Sequence, residues 1–112
     1  MNVYQEIFEV LKQRKIDNDN GNAPEKSYTC YLYQQGVDKI CKKVGEEAAE
    51  TIIAAKNGDN EELKNEINDL LYHLMVLCAN QGLDWSEIEK VLEERNEKIG
   101  NLKKFHTTDK NT

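Results

Sequence analysis

Disulfide and zinc chemistry have little to work with in this chain. Its 112 residues include three cysteines, Cys30, Cys41 and Cys78, an odd set with no CxxC spacing, which suggests neither a disulfide framework nor a zinc site. Proline occurs once, at Pro24, and glycine six times, so long stretches carry no helix breaker. No apolar run approaches the roughly 18–20 residues of a membrane span. The N-terminal run MNVYQEIFEVLKQRK is charged and amphipathic, unlike a secretory leader, and a cytoplasmic location is the expectation. A net charge of −6 and a pI near 5.0 leave no basic footprint for general nucleic-acid binding. Aromatics make up 7% and hydrophobic residues 38%. A chain this short buries only about two-thirds of its unfolded surface, so a homo-oligomer that shares its core is expected.

What remains is helical periodicity. Val3, Ile7, Val10 and Leu11 recur at helical spacing, predicting a first amphipathic helix over 2–16. The run DNDNGNAP, Asp17 to Pro24, is rich in turn formers and reads as a loop. Ser27 stands where an N-cap belongs, opening a short helical turn, YTCYLYQQ, that stops at Gly36. From Val37 to Asn57, the residues Val37, Ile40, Cys41, Val44, Ala48, Ile52 and Ala55 form one apolar stripe. After the break Gly58-Asp59-Asn60, a helix over 60–81 carries Leu63, Ile67, Leu70, Leu71, Leu74, Leu77 and Cys78, and Gly82 ends it. Asp84 or Ser86 caps a last helix, 85–99, whose expected buried side is Ile88, Val91, Leu92 and Ile99. Residues 1–99 therefore read as a single all-α domain, a bundle of four to five helices. Residues 100–112 read as a short polar tail expected to fray.

The chemistry lies beside the apolar stripes. On the 37–57 helix, Lys39, Lys43, Glu46, Glu47 and Glu50 share one sector. On the 60–81 helix, Glu62, Glu66, Asp69 and His73 follow one another at three- and four-residue steps. A Gly-Asp-Asn turn joins the two helices, so they should pack as an antiparallel hairpin. Glu47, Glu50, Glu66 and Asp69 then converge across the seam. Convergent carboxylates repel, and without compensation one or more takes up a proton. A hard divalent cation removes that cost, since Mg²⁺ accepts carboxylate, water and phosphate oxygens together. The alternative is a solvated acidic face with weak i,i+4 support from Lys43–Glu47 or Lys42–Glu46. Spacing alone leaves both open.

The run Lys39-Ile40-Cys41-Lys42-Lys43-Val44-Gly45-Glu46-Glu47-Ala48-Ala49-Glu50 resembles the signature of the phosphoribosyl-ATP pyrophosphatase family. Ser27-Tyr28-Thr29 upstream and Glu66-Ile67-Asn68-Asp69-Leu70-Leu71-Tyr72-His73-Leu74 downstream resemble it too, and the likeness covers residues 3–99. That family is similar to the MazG-type all-α nucleotide pyrophosphatases, with which it shares an ExxE…ExxD framework. The resemblance implies Mg²⁺-dependent hydrolysis of phosphoribosyl-ATP to phosphoribosyl-AMP and pyrophosphate, the second step of histidine biosynthesis, with Mn²⁺ as an alternative ion. It implies Glu47, Glu50, Glu66 and Asp69 as metal ligands, with Glu46 as a further ligand or the group orienting the attacking water, and Glu46 and Glu47 as catalytic residues. Lys39, Lys42 and Lys43 match the family's basic run and are expected to neutralise substrate phosphates, Lys43 foremost. Ser27 and Tyr28 are further substrate-binding candidates, against plainer roles as an N-cap and a core-edge ring. His73 is a ligand, a proton donor or a structural hydrogen bonder. The resemblance also implies a homodimer. A chain of this length is expected to lack the cyclohydrolase domain fused in some relatives, whose step would fall to a separate, functionally associated polypeptide. Two competing readings remain: a housecleaning nucleoside triphosphate pyrophosphatase, and a non-enzymatic helical dimer.

Overall fold

The computed structural model describes residues 2–101. Five helices follow one another: α1 (Val3–Asp19), α2 (Tyr28–Gln35), α3 (Val37–Lys56), α4 (Asn60–Gln81) and α5 (Trp85–Asn101). No strand occurs among the described residues, as the all-α reading expects. The starts are set by local chemistry. Asn2 and Gln5 form a reciprocal capping box on α1, Ser27 accepts from the Cys30 amide at 3.1 Å, and Asp59 accepts from the Glu62 amide at 3.0 Å, each satisfying an orphan N–H. Of the two candidate caps for α5, Asp84 is the one used. It accepts from the Ser86 amide and hydroxyl, and its own amide donates to Glu87. Gly82 ends α4 at φ +74°, a left-handed conformation that only glycine adopts without cost.

Two boundaries differ from the sequence reading. Helix α1 runs three residues past 16, through Asp17 and Asp19, because Lys15 pairs with Asp19 at 2.8 Å and Gln13 donates to Asp17 at 3.0 Å across its last turns. Helix α5 continues through Asn101. Of the expected polar tail, residues 102–112 lie outside the described residues.

The largest difference concerns which faces are covered. The core joins Phe8 and Leu11 of α1, Leu32 and Tyr33 of α2, Ile40 of α3 and Met75, Val76 and Ala79 of α4. Trp85 closes one end by stacking on Phe8 with ring centroids 6.1 Å apart. Of the stripe expected on α3 only Ile40 is buried, while Val37, Cys41, Ile52 and Ala55 are exposed. On α4 the buried residues are Glu66, His73, Met75, Val76 and Ala79, none of them in the expected set. Ile88, Val91, Leu92 and Ile99 of α5, expected inside, are all exposed, Leu92 at 64%. The physical reason is geometric: short α2 and part of α1 cannot cover both sides of the long α3–α4 hairpin. The Cα radius of gyration, 16.8 Å, exceeds the ~13 Å of a compact chain of this length for the same reason.

Candidate active site

Helices α3 and α4 make the most extensive helix pair in the molecule, and the acids sit on its inner seam. The covered side of α3 carries Ile40, Lys43, Val44, Glu47, Ala48, Thr51 and Ala54. One carboxylate is thereby carried into a position that a hydrophobic residue would ordinarily hold. Glu47 is 7% exposed and Glu66, across the seam, 8%. One oxygen each from Glu47, Glu66 and Asp69 lies within 4.8 Å of the others. Glu50 is exposed but hydrogen-bonds both Glu66 and Glu47. The structure thus brings together three of the four expected metal-binding carboxylates, with Glu50 beside Glu47 and Glu66.

Carboxylates can hydrogen-bond one another only through a proton, and the cluster titrates as a unit. The bond with Glu50 is the chief cause that pushes Glu66 up to about 8, with burial and a bond to Glu62 adding to it. Burial first, then Glu50, raises Glu47. Contacts with Glu66 and then Glu47 lower Glu50. Even so, Glu47 Oε2 and Glu66 Oε2 are buried without a hydrogen-bond partner. Buried carboxylate oxygens in that state are costly. An all-oxygen donor set of this kind suits a hard cation such as Mg²⁺ or Mn²⁺, so the residues present fit the expected ion.

Lys43 lies 3.4 Å from Glu46 and 3.8 Å from Glu47. Burial pulls its pKa down, but Tyr28, Glu46 and Glu47 together outweigh it and hold the ammonium above its ordinary range. Glu46 points outward, its side chain 45% exposed. Lys39 is half-buried one turn before Lys43, whereas Lys42 is exposed and lies outside the buried face. Ser27 spends its hydroxyl oxygen as the α2 cap. The Tyr28 hydroxyl reaches across to α4, 3.0 Å from His73 Nε2.

That contact identifies what His73 does. Its Nδ1 lies 2.7 Å from the Asp69 carbonyl oxygen, which can only accept, so Nδ1 carries the proton and Nε2 accepts from Tyr28. His73, 5% exposed, therefore ties α2 to the turn of α4 that presents Asp69. Tyr72 supports the same junction by a hydrogen bond to Thr29. Sequence periodicity shows His73 following Asp69, but not that Tyr28 would reach it from 45 residues away. Glu62, read from the sequence as part of the α4 acidic row but not among the expected ligands, adds to the rise in the Glu66 pKa.

Comparison with known proteins agrees with the residues above. The profile described as phosphoribosyl-ATP pyrophosphohydrolase matches residues 11–96. A phosphoribosyl-ATP pyrophosphatase of Clostridium botulinum is 49% identical over 107 residues, spanning 96% of this chain and 93% of its own. One from Clostridium acetobutylicum is 46% identical, spanning 90% and 87%. The histidine biosynthesis bifunctional protein HisIE of Lactococcus lactis is 51% identical over 102 residues. The match spans 91% of this chain but only 48% of that relative, about half its length.

Proposed function

The chain belongs to the phosphoribosyl-ATP pyrophosphohydrolase family, and from that premise we propose that it hydrolyses phosphoribosyl-ATP to phosphoribosyl-AMP and pyrophosphate in L-histidine biosynthesis. The observation that carries the reading to this chain's own residues is the cluster of Glu47, Glu66 and Asp69, one carboxylate oxygen of each within 4.8 Å of the others, with a further sign in the buried unpartnered oxygen on each of Glu47 and Glu66. Glu47, Glu50, Glu66 and Asp69 would hold Mg²⁺, or Mn²⁺ in its place. When bound there, the ion supplies Lewis-acid polarisation of the α- and β-phosphoryl oxygens and lets an acidic surface accept a triphosphate. Lys43, held charged beside the cluster, neutralises phosphate oxygens, and Lys39 extends that function by one turn of α3. Glu46, exposed at the same level, orients the attacking water and receives its proton. Tyr28 and His73 keep the α2 and α4 walls in register.

The apolar faces left open on α3 and α5 support assembly as a homodimer. No described helix is long and apolar enough to cross a membrane, and a biosynthetic hydrolase of nucleotides fits the cytoplasm. In relatives named as the bifunctional protein the matching region forms about half of a longer chain, which supports a functional association with a phosphoribosyl-AMP cyclohydrolase.

Pyrophosphate release from phosphoribosyl-ATP, ATP and dCTP, each with Mg²⁺ and with EDTA, tests the proposal. Selective, Mg²⁺-dependent release from phosphoribosyl-ATP is expected. Release from ordinary nucleotides alone points to a housecleaning enzyme, and no release from any of the three refutes the enzymatic reading.

A further inference from the structure

The acids of the cluster are not held alike. Glu47 and Glu66 are buried, whereas Asp69 is exposed, and the contact that anchors it is made by its backbone. Its carbonyl oxygen accepts the helical amide of His73 one turn on, and its second lone pair meets His73 Nδ1 at 2.7 Å. On the other side of the ring, Nε2 lies 3.0 Å from the Tyr28 hydroxyl on α2. Two aromatic rings hold the imidazole in this line. It stands edge-on to Tyr28 at a centroid distance of 5.8 Å and 81°, and to Tyr72 at 4.9 Å and 85°. Tyr28 is itself stacked on Tyr31 and Tyr72, at 6.1 and 6.2 Å. Hydroxyl, imidazole and peptide carbonyl thus form one chain of donors and acceptors that starts on α2 and ends at a carboxylate-bearing residue of the cluster.

We propose that Tyr28 and His73 are positioning residues for the cation site, a hydrogen-bonded relay in which the Tyr28 hydroxyl fixes the Nδ1–H tautomer of His73 and His73 fixes the Asp69 peptide, so that the Asp69 carboxylate meets those of Glu47 and Glu66. The assignment rests on the divalent-cation reading above and gives Tyr28 a role other than touching substrate. Three points carry it. The Asp69 carbonyl only accepts, so Nδ1 must donate, and a neutral imidazole that donates there leaves Nε2 to accept. An exposed carboxylate keeps rotamer freedom that binding must remove, so ordering the peptide beforehand matters more at Asp69 than at the buried Glu47 or Glu66. Groups one step behind a ligand set its orientation, and their loss weakens metal binding. The other hydrogen bond at the α2–α4 junction, between Thr29 and Tyr72, reaches neither nitrogen of His73 and no residue of the cluster. It docks the helices only.

Mn²⁺ alone is the probe, its free-ion electron paramagnetic resonance signal titrated with the intact chain. Tyr28→Phe keeps the ring and its stacking but removes the hydroxyl, and is expected to weaken Mn²⁺ binding about three- to tenfold. In His73→Asn the amide can still reach back one turn, as Asn68 does to the Lys64 carbonyl at 2.8 Å, but not across to Tyr28, so it should match Tyr28→Phe. The double variant should bind no more than about twofold more weakly than either single, because the two residues act in one chain. Tyr72→Phe, which breaks only the docking bond, should leave the affinity within about twofold. In EDTA, imidazole ¹⁵N spectra should show His73 protonated at Nδ1 alone in the unaltered protein and as a mixture of tautomers in Tyr28→Phe. The chain has two histidines, and the signal missing from His73→Asn identifies the right one. Unmoved Mn²⁺ affinity in Tyr28→Phe, equal weakening by Tyr72→Phe, additive losses in the double variant, or a proton on Nε2 would overturn the relay while leaving the cation reading intact. An unaltered chain that binds no Mn²⁺ would overturn both. Circular dichroism checks folding, and Tyr28, 45% exposed, keeps the test available should His73→Asn unfold.

Discussion

Replacing Glu47 by glutamine keeps the side chain's shape and removes one charge from the buried seam, with opposite consequences in the absence and presence of Mg²⁺. In EDTA the variant is expected to be the more stable protein. Two unit charges 4.8 Å apart, the outer limit for this cluster, repel by about 3.5 kcal/mol at an effective dielectric of 20. Among the causes that raise Glu47, after burial and Glu50, is the nearby Asp69 carboxylate, a repulsion that the neutral amide relieves. Asp69 is exposed, and solvent and salt reduce the repulsion to about 1 kcal/mol. The glutamine amide can still donate to Glu50, so the local hydrogen bond survives. In Mg²⁺ at about a hundred times its Kd, the unaltered protein gains about 2.7 kcal/mol and the variant little. The order of stability then inverts, with the variant about 1.7 kcal/mol behind. Thermal denaturation followed by circular dichroism reads this as a rise of about 4–8 °C in EDTA and a larger deficit in Mg²⁺. Pyrophosphate release should fall by at least ~100-fold. Loss of stability in EDTA, together with no Mg²⁺ shift in the unaltered protein, would refute the reasoning and make Glu47 a structural hydrogen-bonding residue.

Three further outcomes follow from the same structure. The metal-free protein should lose stability as pH rises through about 8, because a carboxyl raised in the folded state stabilises fully below its unfolded value near 4.5 and not above its folded one; urea midpoints in EDTA at pH 6 and pH 9 check the sign, and equal midpoints contradict it. Tyr33→Phe removes the buried hydroxyl that donates to the Leu11 carbonyl at 2.8 Å, which should cost about 1 kcal/mol in urea unfolding while pyrophosphate release at 25 °C is unchanged. Leu92→Glu places a charge on the open apolar face of α5; sedimentation equilibrium should show the proposed dimer giving way to monomer, and an unaltered mass would remove α5 from the proposed interface.

The helices were legible because their signals are local. Breakers are confined to a few short turns, Asn2, Ser27, Asp59 and Asp84 each satisfy amides within three residues of themselves, and a period of 3.6 runs through each segment. The hairpin that gathers the acids was legible for a related reason: a turn as short as Gly58-Asp59 admits only an antiparallel return. Glu47, Glu50, Glu66 and Asp69 could therefore be placed together from spacing. The position of His73 beside Tyr28 could not, since it depends on how α2 docks, a contact between residues 45 apart.

Which face of each helix is buried was decided by tertiary structure alone. Periodicity identifies an apolar stripe but is silent about what covers it, and α3 has two candidate faces nearly side by side. In the protomer the face bearing Ile40, Glu47 and Ala54 turns inward, while Ile52, Ile53 and the stripe of α5 remain at the surface. Hydrophobicity would have chosen otherwise. The chain follows instead the packing of two long helices across a short turn, which carries Glu47 and Glu66 inward together, and it leaves its remaining apolar faces exposed.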